Sequence, residues 1–364
     1  MKILLCGDLT PTDASVPAFE AGDRDALMGG VTNLAARCDF AIANLECALT
    51  DSEATIRKCG PNLKGRPAYA RTLAECGFTH MGLSNNHTMD FGIQGMKDTE
   101  AAVLSAGMTP FGYGENDQDS RRALYLEKDG RRAAIIAVCE HEYSYALRDQ
   151  YGANPFDPFD TMEDIAKARK QADYVIVMYH GGKEHCAYPS PRLRKACRAM
   201  ARAGADLILC QHSHMIGCRE EYEGSEIVYG QGNFHFLKYM DTPAWQTGLV
   251  AELTLENEIR IDYHSVATAD SGIRLAEGTE KEEILDGFRQ RSLILQDEEK
   301  WLAEWEAFCR SMPYYLDAAA HAFEEIPEGE QCRQVFPHYL DCEAHLDVWQ
   351  TIFRTWHAEK KSGA

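Results

Sequence analysis

Leu207-Ile208-Leu209-Cys210-Gln211-His212-Ser213-His214 is a short apolar run that stops in two imidazoles. Four apolar residues followed at once by polar ones read as a buried β-strand and its exit. Histidines at i and i+2 on such an end can address one point together, because alternate residues share a face of a strand. The same arrangement recurs along the chain. Lys2–Cys6 runs into Gly7-Asp8, Phe40–Ala43 into Asn44-Leu45-Glu46, and His80–Leu83 into Ser84-Asn85-Asn86-His87. Tyr174–Tyr179 runs into His180-Gly181-Gly182, and Glu226–Tyr229 into Gly230-Gln231-Gly232-Asn233-Phe234. Ala133–Cys139 and Gly248–Leu255 read as further strands, the latter turning at Glu256-Asn257-Glu258. Helical spacing fills the gaps at Pro67–Cys76, Gly95–Ala106 and Pro191–Ala203, the last closed by Gly204. Alternating β and α segments predict a layered α/β domain.

In an open α/β sheet, ligands bind beyond the carboxyl ends of the strands. Asp8, Glu46, Asn86, His87, His180, His212 and His214 all fall there. Taken singly, Gly7-Asp8 reads as a turn, Asn44-Leu45-Glu46 as a helix cap and His180 as a structural histidine. Taken together, carboxylate, amide oxygen and imidazole are the donor set of borderline divalent ions. A carboxylate can bridge two such ions about 3.5–4 Å apart, and the pair can clamp both oxygens of an in-line displacement. We therefore expect one or two divalent ions, Mn, Zn or Fe.

Bulk properties narrow the class. A chain of 364 residues with 45% hydrophobic content can bury a large core, and 26% charged residues without low-complexity tracts excludes a disordered class. The formal charge of −20 repels nucleic acid and anionic membranes. An anionic substrate, small or oligomeric, would then need a local cationic site, which metal ions supply. The N-terminal apolar run is too short for a signal-peptide core, and no segment reaches the ~18 apolar residues of a membrane span. The 13 cysteines are scattered without a Cys-x-x-Cys pair, the usage of a reducing compartment, so we expect a cytoplasmic protein with free thiols.

After about residue 270 the pattern turns helical, over Glu280–Phe308, Met312–Glu325 and Val348–His357, with Thr279 and Glu282 spaced as a capping box. We expect an α/β domain over 1–268 and a helical extension over 269–364. Trp301, Trp305, Tyr314 and Tyr315 read as packing residues within it.

The series Gly7-Asp8, Asn44-Leu45-Glu46, Asn85-Asn86-His87-x-x-Asp90-x-Gly92, His180-Gly181-Gly182-x-Glu184, His212-x-His214 and Tyr229-x-x-Gly232-Asn233-Phe234 resembles the CapA family. These are proteins of poly-γ-glutamate capsule synthesis within the calcineurin-like metallophosphoesterase superfamily. The resemblance implies a four-layer α/β/β/α sandwich with a dinuclear metal site. It implies metal ligands at Asp8, Glu46 (the bridging carboxylate), Asn86, His180, His212 and His214, and a catalytic role for His87. The superfamily's Asp-x-His is here Asp8-Leu9-Thr10, so one metal position is short of nitrogen ligands. Asn44, Glu184, His185, Lys64 and Arg66 are candidates for substrate contacts, while Asn233 and His235 read as supporting residues. Three functions are compatible with the site: phosphoester hydrolysis by metal-activated water, γ-glutamyl amide hydrolysis or transfer, and a non-catalytic role in capsule polymer synthesis.

Overall fold

The apolar runs become the strands of two sheets, laid down one after the other. In the computed structural model, which describes residues 1–140, 143–322 and 332–362, the first sheet starts with β1 (Lys2–Leu9), β2 (Phe40–Leu45), β3 (His80–Gly82) and β4 (Thr109–Phe111). The second follows with β5 (Leu124–Lys128), β6 (Arg131–Cys139), β7 (Tyr174–His180), β8 (Leu207–Gln211), β9 (Arg219–Tyr222) and β10 (Ser225–Val228). The chain then returns to the first sheet with β11 (Asn233–His235), β12 (Thr247–Leu255), β13 (Ile259–Thr268) and β14 (Ile273–Leu275). The spatial order is β14-β13-β12-β1-β2-β3-β4 with β11 also beside β1, and β9-β10-β8-β7-β6-β5.

Both sheets are buried on both faces, and the period of two sorts each strand's residues between two cores. Ile3, Leu5, Ile42, Ala133, Ile135, Ile176, Met178, Leu207 and Leu209 meet between the sheets. Their neighbours Leu4, Cys6, Ala41 and Ala43 face outward beneath α1 (Val16–Ala21), α2 (Arg24–Met28), α3 (Val31–Ala36), α4 (Tyr69–Glu75) and α5 (Gly92–Ser105). Ala134, Ile136, Val175, Val177, Ile208 and Cys210 face α6 (Asp160–Arg169) and α7 (Pro191–Ala203) on the other side. Three apolar cores between four layers make an α/β/β/α sandwich. Each fully buried Ile, Leu or Val contributes about 1.5–3 kcal/mol to holding the layers together.

Local signals set the helix ends where they are strong. Ser190 accepts from the Leu193 N–H, Pro191 occupies the first turn, and Gly204 closes α7 in the left-handed region at φ 116°. The expected helix over Glu280–Phe308 is instead two, α8 (Gly278–Gln296) and α9 (Glu298–Arg310). Asp297 between them is extended and its carboxylate accepts from the Lys300 N–H, capping α9. The capping box at Thr279 does not form, because α8 begins at Gly278 with Glu277 before it. Next come α10 (Tyr314–Ala320), α11 (Cys332–Asp341) and α12 (Glu343–Ser362), the last containing the expected Val348–His357; the end of the expected Met312–Glu325 helix beyond residue 322 lies outside the described residues.

Phe288 of α8 enters the core between the sheets, and Leu295 and Trp301 join the outer core of the second sheet. A fourth apolar cluster gathers Trp305, Cys309, Tyr315, Val348 and Trp349 around Cys186. Trp301, Trp305 and Tyr315 are thus packing residues, whereas Tyr314 is 46% exposed. Cys6, Cys47, Cys76, Cys197, Cys210 and Cys218 are buried thiols. Among the described residues, no helix is long and apolar enough to cross a membrane.

Candidate metal centre

The central strands of both sheets are parallel, so their carboxyl ends open on the same edge. Register then aligns the polar exits. Asp8 lies opposite Asn44 on β2 and opposite Asn233 on β11, and His180 lies opposite Gln211. A register shift between Leu5 and Asp8 is where β1 leaves regular pairing with β2.

The side chains that meet there are nearly all buried. Asp8 and Glu46 are fully buried, and Asn86, His180, His212 and His214 are 5% exposed or less. Two donor groups form, each with ligand atoms within 4.8 Å of one another: Glu46, His180 and His212, and Asp8, Glu46 and His214. Glu46 is common to both. Asn86 Oδ1 lies 2.9 Å from His180 Nε2, at the first group. Both carboxylate oxygens of Glu46 are buried and accept no hydrogen bond from the described residues. Their nearest cationic contact is His180 Nε2, 3.4 Å from Oε1. A buried carboxylate left in that state costs free energy unless a cation meets it.

Charge balance points the same way. Burial alone would raise the Asp8 carboxyl, but His180, His214 and the Asn44 amide together hold it below the usual carboxylate range. Burial alone would lower His180, but Asp8 and Glu46 push it up to about 10. Two buried carboxylates thus face one imidazole, and a divalent ion bound there would supply the positive charge they demand. The residues present fit the metal expected of them.

Supporting hydrogen bonds fix the donors. Asn44 donates to Asp8 Oδ1 at 2.7 Å and receives the Asn85 amide at 3.0 Å. The His212 N–H donates to Asp8 Oδ2 at 2.9 Å. Asn233, held by its own donation to the Trp245 carbonyl at 2.9 Å, places Oδ1 2.8 Å from His214 Nδ1. The Trp245 ring lies 4.3 Å from the His214 ring and limits its rotation. Such partners set the tautomer and aim of a ligating imidazole.

His212 and His214 reach the site by a route other than strand alternation. β8 ends at Gln211, and both histidines lie beyond it in the left-handed region, at φ 80° and φ 54°. Non-glycine residues held there cost about 1–3 kcal/mol each and persist where surrounding contacts impose them.

His87 sits beside the donors in a buried set of its own. Its Nδ1 lies 2.6 Å from Asp90 Oδ2, and Lys58 Nζ donates to Asp90 Oδ1 at 2.5 Å. Burial, then the Lys58 charge, lower the His87 imidazole below its ordinary range. A cleft of about 610 Å³ opens alongside, lined by Arg57, Lys58, Tyr143, Pro337, His338, Leu340 and Asp341.

A family profile described as bacterial capsule synthesis protein PGA_cap matches residues 2–238, well over half the chain. The chain belongs to that family. Its relatives include the capsule biosynthesis protein CapA of Bacillus anthracis, 32% identical over 207 residues, covering 54% of this chain and 50% of that protein. The PGA biosynthesis protein CapA of Bacillus subtilis strain 168 is 34% identical over 169 residues, covering 46% and 44%. A Mycobacterium tuberculosis protein named "Probable polyglutamine synthesis accessory protein" is 29% identical over 203 residues, covering 52% and 51%. The chain spans about half the length of the curated relatives it matches.

As a PGA_cap family member, the chain carries its remaining candidates in mixed positions. Thr10, two residues after Asp8, donates its hydroxyl to the Glu46 carbonyl at 2.9 Å and so steadies the shared carboxylate's backbone. Asn44, expected to touch substrate, is 2% exposed and engaged with Asp8 and Asn85; its task is orientation. His185 is exposed, with its ring 5.6 Å from Trp245 and its N–H donating to the Ser213 carbonyl at 2.9 Å, next to the histidine pair. Glu184 adjoins it, half-buried. Lys64 pairs with Glu53 at 2.6 Å and Arg66 with Glu20 at 3.1 Å, so their charges are matched at the surface. Sequence reasoning missed Lys58, whose partner Asp90 is 32 residues away and which no motif marks. A cleft of about 1030 Å³, with Arg131, Arg169, Arg219 and Arg260 among its lining residues, shares no residue with the centre.

Proposed function

We propose that this chain is a divalent-metal-dependent hydrolase that cleaves a phosphoester with metal-activated water. The observation that carries this reading is Glu46: a fully buried carboxylate, shared by two donor groups, whose oxygens accept no hydrogen bond from the described residues. Asp8, His214 and Glu46 would hold one ion, and Glu46, His180, His212 and Asn86 the other, as Mn, Zn or Fe. Bound ions would lower the pKa of a coordinated water and offset charge on the transferring group. His87, whose Nδ1 lies 2.6 Å from Asp90 Oδ2, would in its protonated form give an Nε2 proton to the leaving oxygen. Lys58, 2.5 Å from Asp90 Oδ1, holds Asp90 in place. The substrate we expect is anionic, a small molecule or an oligomer, and neither nucleic acid nor a membrane. On the thiol usage we place the protein in the cytoplasm, and we treat 269–364 as an extension of the 1–268 domain.

The names of the relatives favour a second reading, in which the same centre acts on γ-glutamyl amides or serves capsule polymer synthesis without turnover. Metal analysis of protein purified without chelator, combined with turnover of a generic phosphodiester and of a γ-glutamyl oligomer, separates the three. We expect bound metal and phosphodiester cleavage. Metal without either turnover supports the non-catalytic role, and protein that takes up neither Mn nor Zn sinks the metal reading.

A further inference from the structure

Glu140 follows β6 directly and brackets the metal loop. Its N–H donates to the His180 carbonyl at 2.9 Å, and its Oε2 accepts from the Gly182 N–H at 2.9 Å. The fit leaves no slack, since a Cβ on Gly181 would lie 2.5 Å from Glu140 Cγ. Glu140 is in turn held through Oε1, which accepts from Tyr179 Oη at 2.7 Å and from Arg192 Nη2 at 2.5 Å. Arg192 continues to Asp347, with Nε 2.9 Å from Oδ2, and Ser190 Oγ donates to the same oxygen at 2.5 Å. Glu140 and Asp347 are both buried. Asp347 lies on α12, beyond the residues 2–238 that the family profile matches. An independent apolar contact joins the same partners: Cys186, in the loop after His180, packs among Trp305, Tyr315, Val348 and Trp349.

We propose that the C-terminal helices hold the metal-binding loop through the chain Asp347–Arg192–Glu140, which makes Arg192 and Asp347 positioning residues of the centre. The proposal rests on the metal reading above. Its physical basis is the burial of Glu140. With Arg192 gone, a buried carboxylate loses its counter-ion and moves or draws in water. Because Glu140 bonds the backbone on both sides of Gly181, at the His180 carbonyl and the Gly182 N–H, that movement shifts the imidazole. A ligand displaced from its mark weakens metal binding, and supporting partners of ligands are typically worth about 10–100-fold in metal affinity or activity.

The test uses the full chain, stripped of metal and titrated with Mn²⁺ by calorimetry, together with hydrogen exchange over residues 179–186. Arg192→Ala and Asp347→Ala should each weaken Mn²⁺ binding about tenfold and speed exchange at Gly181 and Gly182. Arg192→Lys should restore part of both. Arg354→Ala, an exposed change on α12 that removes only a contact with Gln350, should leave affinity and loop exchange as in the parent. Parent-like affinity in Arg192→Ala and Asp347→Ala would overturn the proposal, as would an equal loss in Arg354→Ala. If Arg192→Ala does not fold, Glu140→Gln replaces it with the same expectations. A parent that takes up no Mn²⁺ defeats the metal reading instead. The exchange data then decide the rest: unchanged exchange over 179–186 in Arg192→Ala defeats the coupling too.

Discussion

Replacing Glu46 by Gln should make the metal-free protein more stable and abolish its response to metal. In the folded chain the carboxylate is fully buried, neither oxygen accepts a hydrogen bond from the described residues, and Asp8 adds a second buried negative charge to the same cluster. A buried polar group without a partner costs about 1–3 kcal/mol, and more when charged. Gln keeps the shape, removes the charge and brings an N–H₂ that can donate to neighbouring oxygens. The expected gain without metal is therefore about 1–3 kcal/mol. At roughly 2–4 °C per kcal/mol for chains of 150–250 residues, that is a rise of a few degrees in Tm, smaller for a longer chain. Metal should act oppositely on the parent. An ion present at 100 times its Kd stabilises the folded state by about 2.7 kcal/mol, and Glu46→Gln, lacking the carboxylate common to both donor groups, should lose most of it. Thermal melts of parent and variant, with chelator and with Mn²⁺, read both effects at once. A variant that is less stable than the parent in chelator, yet keeps the full Mn²⁺ shift, would refute the reasoning. Glu46 would then be a structural carboxylate satisfied in some other way.

His87→Ala should cut turnover of any substrate found by about 10²–10⁴-fold while metal content stays at the parent level, the signature of lost acid–base assistance. Asn233→Ala should weaken metal binding by about 10–100-fold, measured by calorimetry, because His214 loses the partner 2.8 Å from its Nδ1. Gly248→Ala should destabilise severely or prevent folding, as judged by soluble yield and circular dichroism, since its Cβ would lie 1.9 Å from the Asn233 carbonyl oxygen. Burial holds His80, remote from the centre, at about 4 against an ordinary 6.5. The stability this neutral form contributes is whole above pH 6.5 and is lost as pH falls toward 4, so urea midpoints of His80→Gln should decline less than the parent's over that window.

The candidate metal centre was legible because its residues are chemically out of place. Asp8, Glu46, Asn86 and His180 each follow a buried apolar strand, where packing alone has no use for a carboxylate or an imidazole. The strands were legible for a related reason, as continuous apolar runs mark sheets covered on both faces. α7 was read to the residue because Pro191 and Gly204 mark its ends locally. What escaped the sequence depends on contacts between distant segments. Nothing in Gln211-His212-Ser213-His214 announces two left-handed histidines, because non-glycine residues adopt that conformation under tertiary constraint and not by local preference. The break at Asp297 escaped for the opposite reason. The side chain could continue one helix or cap the next; in the fold Leu295 of α8 and Trp301 of α9 share the second sheet's outer core and Asp297 caps α9.

Arg192 and Asp347 show where single-sequence reading stops. A charge on an amphipathic helix reads as solvated by default, and both residues lie on helices that fit that description. They are 155 residues apart, and only the fold brings Arg192 Nε to 2.9 Å from Asp347 Oδ2 and Arg192 Nη2 to Glu140. The ligands of a site can be inferred from chemistry that is locally incongruous. The residues that hold those ligands still are locally ordinary, and become visible only once burial shows which charges have lost their water.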